Sequence, residues 1–456
     1  MNTKQRLSKY VGRVMMIVWL TLLLTFFAQA QTFSSGSTGA DGAFNPTVSQ
    51  TVIVPASGVF NFTTVNIPAG VTITFPRGAA NKPVIILATG DVTIAGAINI
   101  TGEKGKANGA GGMGGAGGFA GGNGAPGGVC KQLDPQNPSR CISCDCKNVM
   151  CGSPGNGPGS GNGGIMGANV GQTGSAGGGG GHITAGQTSA ANNGAAGAAG
   201  GDAYDSDLMT PLIGGSGGGG AAGRCEDVLS GGGGGGGGGA IIIASSTKII
   251  LNGSLGGDFD FPPVIDASGG GAENFGHATG GGGAGGSIRL VANEITGSGG
   301  FKANGGSPDA GGFNSGGAGA NGIIRLECHR LTVTNLRSDI PVILHSLPRP
   351  VSSSQAPAIS VISIAGIAPA NPPSGSFAAA ADVSLPASQA NPVAINLATT
   401  NIPLGTTIKV TVTPSGGAPV IATSSPVTGA FAAGTATVNV NLTSGQSVIS
   451  VTPITP

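Results

Sequence analysis

SIRLVANEITGSGGFKANGG, residues 287–306, is one of four stretches that share a pattern. The others are PVIILATGDVTIAGAINITG (Pro83–Gly102), AIIIASSTKIILNGSL (Ala240–Leu255) and GIIRLECHRLTVTN, which begins at Gly322. Each opens on an apolar, β-branched run, passes a short polar turn and resumes as a second short strand. Successive side chains of a strand point to opposite faces. Ile324, Leu326 and Cys328 therefore share one face, with Arg325, Glu327 and His329 on the other; Ile288 and Leu290 likewise oppose Arg289. A unit of this length cannot bury its own apolar face, whereas stacked copies can. The pattern predicts an all-β chain whose units are coils of a parallel β-helix, a solenoid. Equivalent strands would stack Ile85 or Ile86, Ile242, Ile288 or Leu290, and Ile324 or Leu326 into one inner ladder. Upstream, Phe60 and Phe62, then Val71, Ile73 and Phe75, alternate as the first coils should.

Glycine-rich insertions interrupt these coils. Of the 91 glycines, Gly109, Gly112, Gly115, Gly118, Gly121, Gly124 and Gly127 keep a spacing of three, as do Gly214, Gly217, Gly220 and Gly223; shorter runs recur near 171–180 and 194–200. Collagen needs that period together with abundant proline, which is missing here. A three-residue period suits extended helices packed along a glycine face; glycine in a flexible linker would be frequent but unphased. Both readings stand at this level. Disorder of the whole chain is disfavoured by 39% hydrophobic and only 9% charged residues.

The ends differ from the middle. Lys4, Arg6, Lys9 and Arg13 precede an apolar run, Val14–Phe27, and then Ala28-Gln29-Ala30. That is the order of a Sec-type signal peptide, residues 1–30, cleaved between Ala30 and Gln31. An uncleaved membrane anchor is the alternative. Removal leaves 16 basic against 19 acidic residues, a formal charge of −3, without a basic nucleic-acid footprint. The expected domains are a β-helix at 31–345 with a cysteine-containing insertion at 102–239, a linker at 346–356, and a small immunoglobulin-like β-sandwich at 357–456. In that last region Val393, Ile395 and Leu397, then Ile408, Val410 and Val412, then Val438, Val440 and Leu442 alternate between proline and glycine turns.

The run DGAFNPTVSQTVIVPASGVFNFTTVNIPAGVTITF (Asp41–Phe75), together with IILATGDVTIAGAINITG, GGSIRL and GIIRLE, resembles glycine-rich exported bacterial proteins. The resemblance covers residues 41–335 and implies a secreted or cell-surface β-helix. It supplies no catalytic motif.

Cys130, Cys141, Cys144, Cys146 and Cys151 cluster, and Cys225 follows a glycine tract. Their C-x-x-C-x-C spacing suits zinc or an iron–sulfur cluster, but export favours disulfides. Six cysteines allow three bonds whose pairing the sequence leaves open, and Cys328 would remain a buried free thiol. Asp202, Asp205 and Asp207, with Asp258 and Asp260, are weak calcium candidates; aspartate in such loops is more often a turn former. No other cofactor is implied. His182, His277, His329 and His345 are scattered. Trp19 leaves with the signal peptide, and Tyr204 is the tyrosine that remains, which argues against sugar recognition by stacking.

These features predict an exported structural or adhesive protein without catalysis, its partner an extracellular surface, polysaccharide or protein. A polysaccharide-acting β-helix lyase or hydrolase is the alternative. An ice-binding solenoid would need regular threonine ladders, and Thr72, Thr74 and Thr93 are few. Exposed coil edges would permit self-association.

Overall fold

The computed structural model describes residues 32–126, 129–134, 137–145, 151–165, 174–191, 195–209, 211–223, 231–253, 264–273, 278–308, 314–345, 347–351, 358–370, 373–375, 380–400, 402–415, 419–430 and 433–454. The signal peptide and its cleavage point lie outside them. The chain divides into Met1–Phe33 and Ser34–Pro456; the architecture below is that of the second unit. Among the described residues there is no helix, and so none long and apolar enough to cross a membrane.

A twelve-stranded parallel sheet forms the frame. Its first strands are β1 (Gln50–Thr51), β2 (Val59–Phe62), β3 (Val65–Ile67), β4 (Thr72–Thr74), β5 (Val84–Ala88), β6 (Val92–Ile94) and β7 (Ala97–Asn99). A separate antiparallel hairpin, β8 (Val129–Asp134) with β9 (Asn137–Asp145), follows. The sheet then resumes with β10 (Ala240–Asn252), β11 (Ile265–Asp266), β12 (Ser287–Lys302), β13 (Ile323–Ser338) and β14 (Val342–His345). Pairing is column by column. Phe60, Ile86, Ile243, Leu290, Leu326 and Leu344 are successive partners in one column. Val65, Val92, Ile249, Ile295 and Leu331 form a second, and Ile73, Ile98, Ile265, Phe301 and Ser338 a third. The chain visits the columns in turn and returns one strand further on, so the sheet curls around a single apolar core.

Two expectations need correction. The later units are not pairs of short strands around a turn: β10, β12 and β13 are long strands of 13, 16 and 16 residues. Register shifts between Ser245 and Lys248, and between Gly297 and Ser298, bend them where turns were expected, as extra residues in a ladder do. Secondly, Ile242 is not in the inner ladder. It pairs with Ile85 and Arg289 on the opposite face, and it is buried there nonetheless.

That outer face is met by Asp207 and Ile213 of the glycine-rich insertion and by Arg349 and Ser35. The tracts of the insertion are neither strand nor helix, yet their amides are systematically paired. Along 231–239, Gly232, Gly235 and Gly238 donate to Ala278, Gly281 and Ala284; Gly231, Gly234 and Gly237 donate to Ala125, Gly122 and Phe119; Gly233, Gly236 and Gly239 donate to Lys106, Glu103 and Ile100. Every third residue addresses the same neighbouring tract, which is the geometry of extended helices with three residues per turn. The glycines of 231–239 have no φ in the left-handed region, so close approach and not backbone conformation demands them. A Cβ on Gly235 would stand 1.9 Å from the carbonyl oxygen of Gly270. Because 231–239 has neighbours on all sides, all nine of its residues are glycine; the peripheral tract 195–201 keeps alanines, with Ala196 and Ala199 exposed. The ordered-bundle reading therefore holds and the flexible-linker reading does not. The apparent single tract 109–127 is, within its described part, two antiparallel segments: it reverses at Gly117, φ +80°, after which Gly121 and Gly124 donate back to Gly112 and Gly109.

The C-terminal strands are β15 (Ala358–Ile364), β16 (Val393–Thr400), β17 (Thr407–Pro414), β18 (Val420–Thr423), β19 (Thr428–Ala430), β20 (Ala433–Val440) and β21 (Ser447–Ile454). They make two antiparallel sheets, β15-β16-β20-β19 and β18-β17-β21. The expected alternation is observed: Ile395, Leu397, Ile408, Val410, Val412, Val438 and Val440 are buried in a core shared by both sheets.

Candidate functional site

The chemistry-bearing side chains concentrate at the seam where the outer face of the parallel sheet meets the bundle. Arg289 and Arg325 are partners in the β12–β13 ladder. Period two puts Glu327 on their face, and the three form one cluster. Arg289 donates from Nε and Nη2 to the two Glu327 oxygens at 2.9 and 3.0 Å; Arg325 Nε reaches Oε1 at 2.5 Å. Arg325 Nη1 donates to the carbonyl of Asp207, and the amide of Arg349 donates to Glu327 Oε2 at 2.8 Å. Glu327 thus ties β12 and β13 to the segment leading to the C-terminal sheets, and Arg325 adds a contact to Asp207 of the insertion. Arg325 and Glu327 are fully buried. Burial alone would raise the Glu327 carboxyl; the hydrogen bonds and charge of Arg289, the Arg349 amide and Arg325 outweigh it and hold the group below its usual range.

Arg325 and Glu327 lie on the face opposite Ile324 and Leu326, yet both are fully buried. The strand period placed them on the correct face, but a second layer covers that face. The usable signal was recurrence: arginine occupies the same place in SIRL and IIRLE, and in the second a glutamate, Glu327, follows two residues on.

Beside this cluster lie His182, Asp205 and Ser287. His182 Nε2 is 3.1 Å from Asp205 Oδ2 and 3.4 Å from Ser287 Oγ. The trio suggests a nucleophile relay until its geometry is tested. In such a relay the acid holds one ring nitrogen and the hydroxyl engages the other. Here both partners meet Nε2, and His182 Nδ1 is buried without a hydrogen-bond partner. The Ser287 hydroxyl donates to the carbonyl of Ile213 at 2.6 Å. His182 and Ser287 are fully buried. Tyr204 packs its ring 5.2 Å from the imidazole and donates its hydroxyl to Gly214; burial drives its pKa upward. The arrangement fastens the sheet-side end of the bundle and leaves no attacking group free.

The acidic candidates are dispersed. Asp205 is engaged by His182, the Asp207 carbonyl is taken by Arg325, and Asp202 is largely exposed, 3.3 Å from Lys409 on β17. Asp258 and Asp260 lie outside the described residues. Among the described residues no three His, Cys, Asp or Glu side chains are grouped to hold a metal ion. Of the cysteines, Cys328 is a buried free thiol on the inner face, as expected, with burial raising its pKa. Cys151 is a half-buried free thiol. Cys130 lies on β8, Cys141 and Cys144 on β9; Cys146 and Cys225 lie outside the described residues.

The exposed outer surface of the second column carries Lys248, Glu294 and Arg330 in register, with Glu294 3.6 and 3.7 Å from the two cations. The neighbouring row reads Thr93, Ile250, Thr296 and Thr332: longer in threonine than the sequence suggested, but broken by isoleucine and flanked by charge.

At the other end of the bundle the flanks of several connecting segments meet. Ala125 bonds Ala221, Gly231 bonds Ala125, Ser175 bonds Ile165, Gly232 bonds Ala278 and Thr279 bonds Asn314. Gly239, Gly286 and Gly322, at the opposite end, run directly into β10, β12 and β13. Comparison with protein-family models, curated proteins and solved structures gave no match to this chain.

Proposed function

We propose that the chain is an exported structural or adhesive protein without catalytic activity: a parallel β-helix that carries a glycine bundle on one flank and ends in an immunoglobulin-like sandwich. One observation carries the reading. Backbone-paired glycine tracts form a close-packed bundle, and buried contacts from Arg325 to the Asp207 carbonyl and from Ser287 to the Ile213 carbonyl fasten the insertion to the sheet. Binding residues commonly sit on loops held by a rigid scaffold, and a bundle almost free of side chains has little else to offer a ligand. The buried charges are engaged in fastening the layers, which leaves them unsuited to turnover. Exposed Arg330 on β13, with Asp339 just past its end, discourages edge-to-edge pairing, so self-association is the weaker part of the expectation.

The test uses the full chain expressed with its N-terminal segment. Protein recovered outside the cytoplasm should begin at Gln31 by intact mass, and it should adhere to cell-surface or polysaccharide-coated supports. Replacing 129–145 by a short linker should abolish adhesion without lowering the melting temperature of the sheet. A chain retained in the cytoplasm, or polysaccharide chain cleavage by the purified protein, would overturn the proposal.

A further inference from the structure

The β8–β9 hairpin pairs Val129 with Asp145 and Cys130 with Cys144 before the register shifts between Cys130 and Gln132. Directly opposed residues of an antiparallel pair share a face, with Cα atoms about 4.5–5.5 Å apart. A disulfide spans Cα separations of about 4.4–6.8 Å, a range that the spacing of opposed strand residues falls within. The other cysteine within the hairpin, Cys141, is opposite Leu133. Cys146 and Cys151 come after Asp145, the last paired residue. The register therefore selects one pairing from a cluster whose sequence left all pairings open.

We propose that Cys130 and Cys144 form a disulfide across this hairpin. The proposal rests on the reading that the chain is exported, because an oxidising compartment is what preserves such a bond. The oxidant is a disulfide-bearing compound, either a thiol oxidoreductase or a small-molecule disulfide. The thiolate of one cysteine attacks the oxidant's sulfur and expels one thiol. The second cysteine's thiolate attacks the mixed disulfide, expelling the second thiol and closing the bond. Two protein thiols are oxidised, one oxidant disulfide is reduced, and the two protons end on the released thiols. The need for a bond is local. The ladder between β8 and β9 is interrupted at several places. A covalent tie restricts the open chain where backbone pairing is irregular.

The purified full chain is equilibrated with oxidised and reduced glutathione, alkylated, and digested with trypsin, which cuts after Lys131, Arg140 and Lys147. The expected product joins the peptide ending at Lys131 to Cys141–Lys147. It should vanish equally in Cys130→Ser and Cys144→Ser and persist in Cys141→Ser and Cys146→Ser. Persistence in Cys144→Ser would overturn the pairing. So would full alkylation of Cys130 at oxidising equilibrium, or stoichiometric zinc that protects both thiols. If the bond forms in glutathione but protein recovered from cells is wholly reduced, the pairing stands and the export reading fails.

Discussion

The parallel sheet and the glycine bundle are both made of repeated extended chain, but side chains play opposite parts in them. In the sheet, backbone bonds are common to every strand pair, and specificity comes from what stacks: Ile86, Ile243, Leu290 and Leu326 fill the space between columns. In the bundle, backbone bonds hold the tracts together directly, and any side chain on the inner tracts would push them apart. The first region is stabilised largely by removing apolar area from water. The second has little such area to remove, and its cohesion comes from satisfied amides and carbonyls packed at close range. At the seam the two regimes meet, and charged side chains span the join.

The largest effect should come from adding one methyl group to the bundle interior. Gly235→Ala collides with a backbone oxygen rather than with a mobile side chain, so it should cost at least ~3 kcal/mol, and Gly235→Val more. Amide exchange should show protection lost along 214–239 and 278–286 first. Unchanged protection would mean that the tracts pack less tightly than the geometry requires.

Next come paired substitutions on the two faces of β13. Leu326→Ala empties part of the inner ladder and should cost ~2–5 kcal/mol. Arg325→Ala, one residue away, would be nearly silent on a one-sided sheet. Here it unpairs part of a buried ion cluster and should cost ~3 kcal/mol. Denaturant midpoints of the two variants decide between a sheet covered on one face and one covered on both.

A milder perturbation is acid. The folded-state pKa of Glu327 is lowered, so its contribution to stability is complete above the ordinary carboxylate value of about 4.3. It is lost as the pH falls through the lowered folded value. Unfolding midpoints of the native chain and Glu327→Gln should differ clearly at pH 7 and converge in strong acid. A gap independent of pH would show that the carboxylate charge contributes nothing.

The smallest effect reverses the sign of the first. A Cβ on Gly78 meets nothing within 4 Å, and this glycine has no left-handed φ. Gly78→Ala should therefore leave stability unchanged or raise it by ~0.4–1 kcal/mol. Glycine is indispensable here where chains touch, and Gly78 tests that it is dispensable elsewhere.

Much of this was legible beforehand. Period two in 323–328 placed Ile324, Leu326 and Cys328 inward, and all are buried. The alternation in 393–397, 408–412 and 438–442 marked the C-terminal core. Period three in the glycine tracts was compatible with extended helices, and the backbone pairing chose them over a flexible linker. The candidate site was much less legible. Ser287 and His182 are separated by 105 residues, and Arg325 and the Asp207 carbonyl by 118; no local pattern links them.

The sequence by itself determined what depends on neighbours along the chain: strand periodicity, the recurrence of units, and the tracts from which side chains are excluded. Only the tertiary structure decided which tract lies at the centre of the bundle, where the long strands bend, and whether the outer face of the sheet meets water. Those outcomes depend on which distant backbone donors and acceptors satisfy one another. An Arg or Glu in a strand carries no mark of whether water or another layer lies above it.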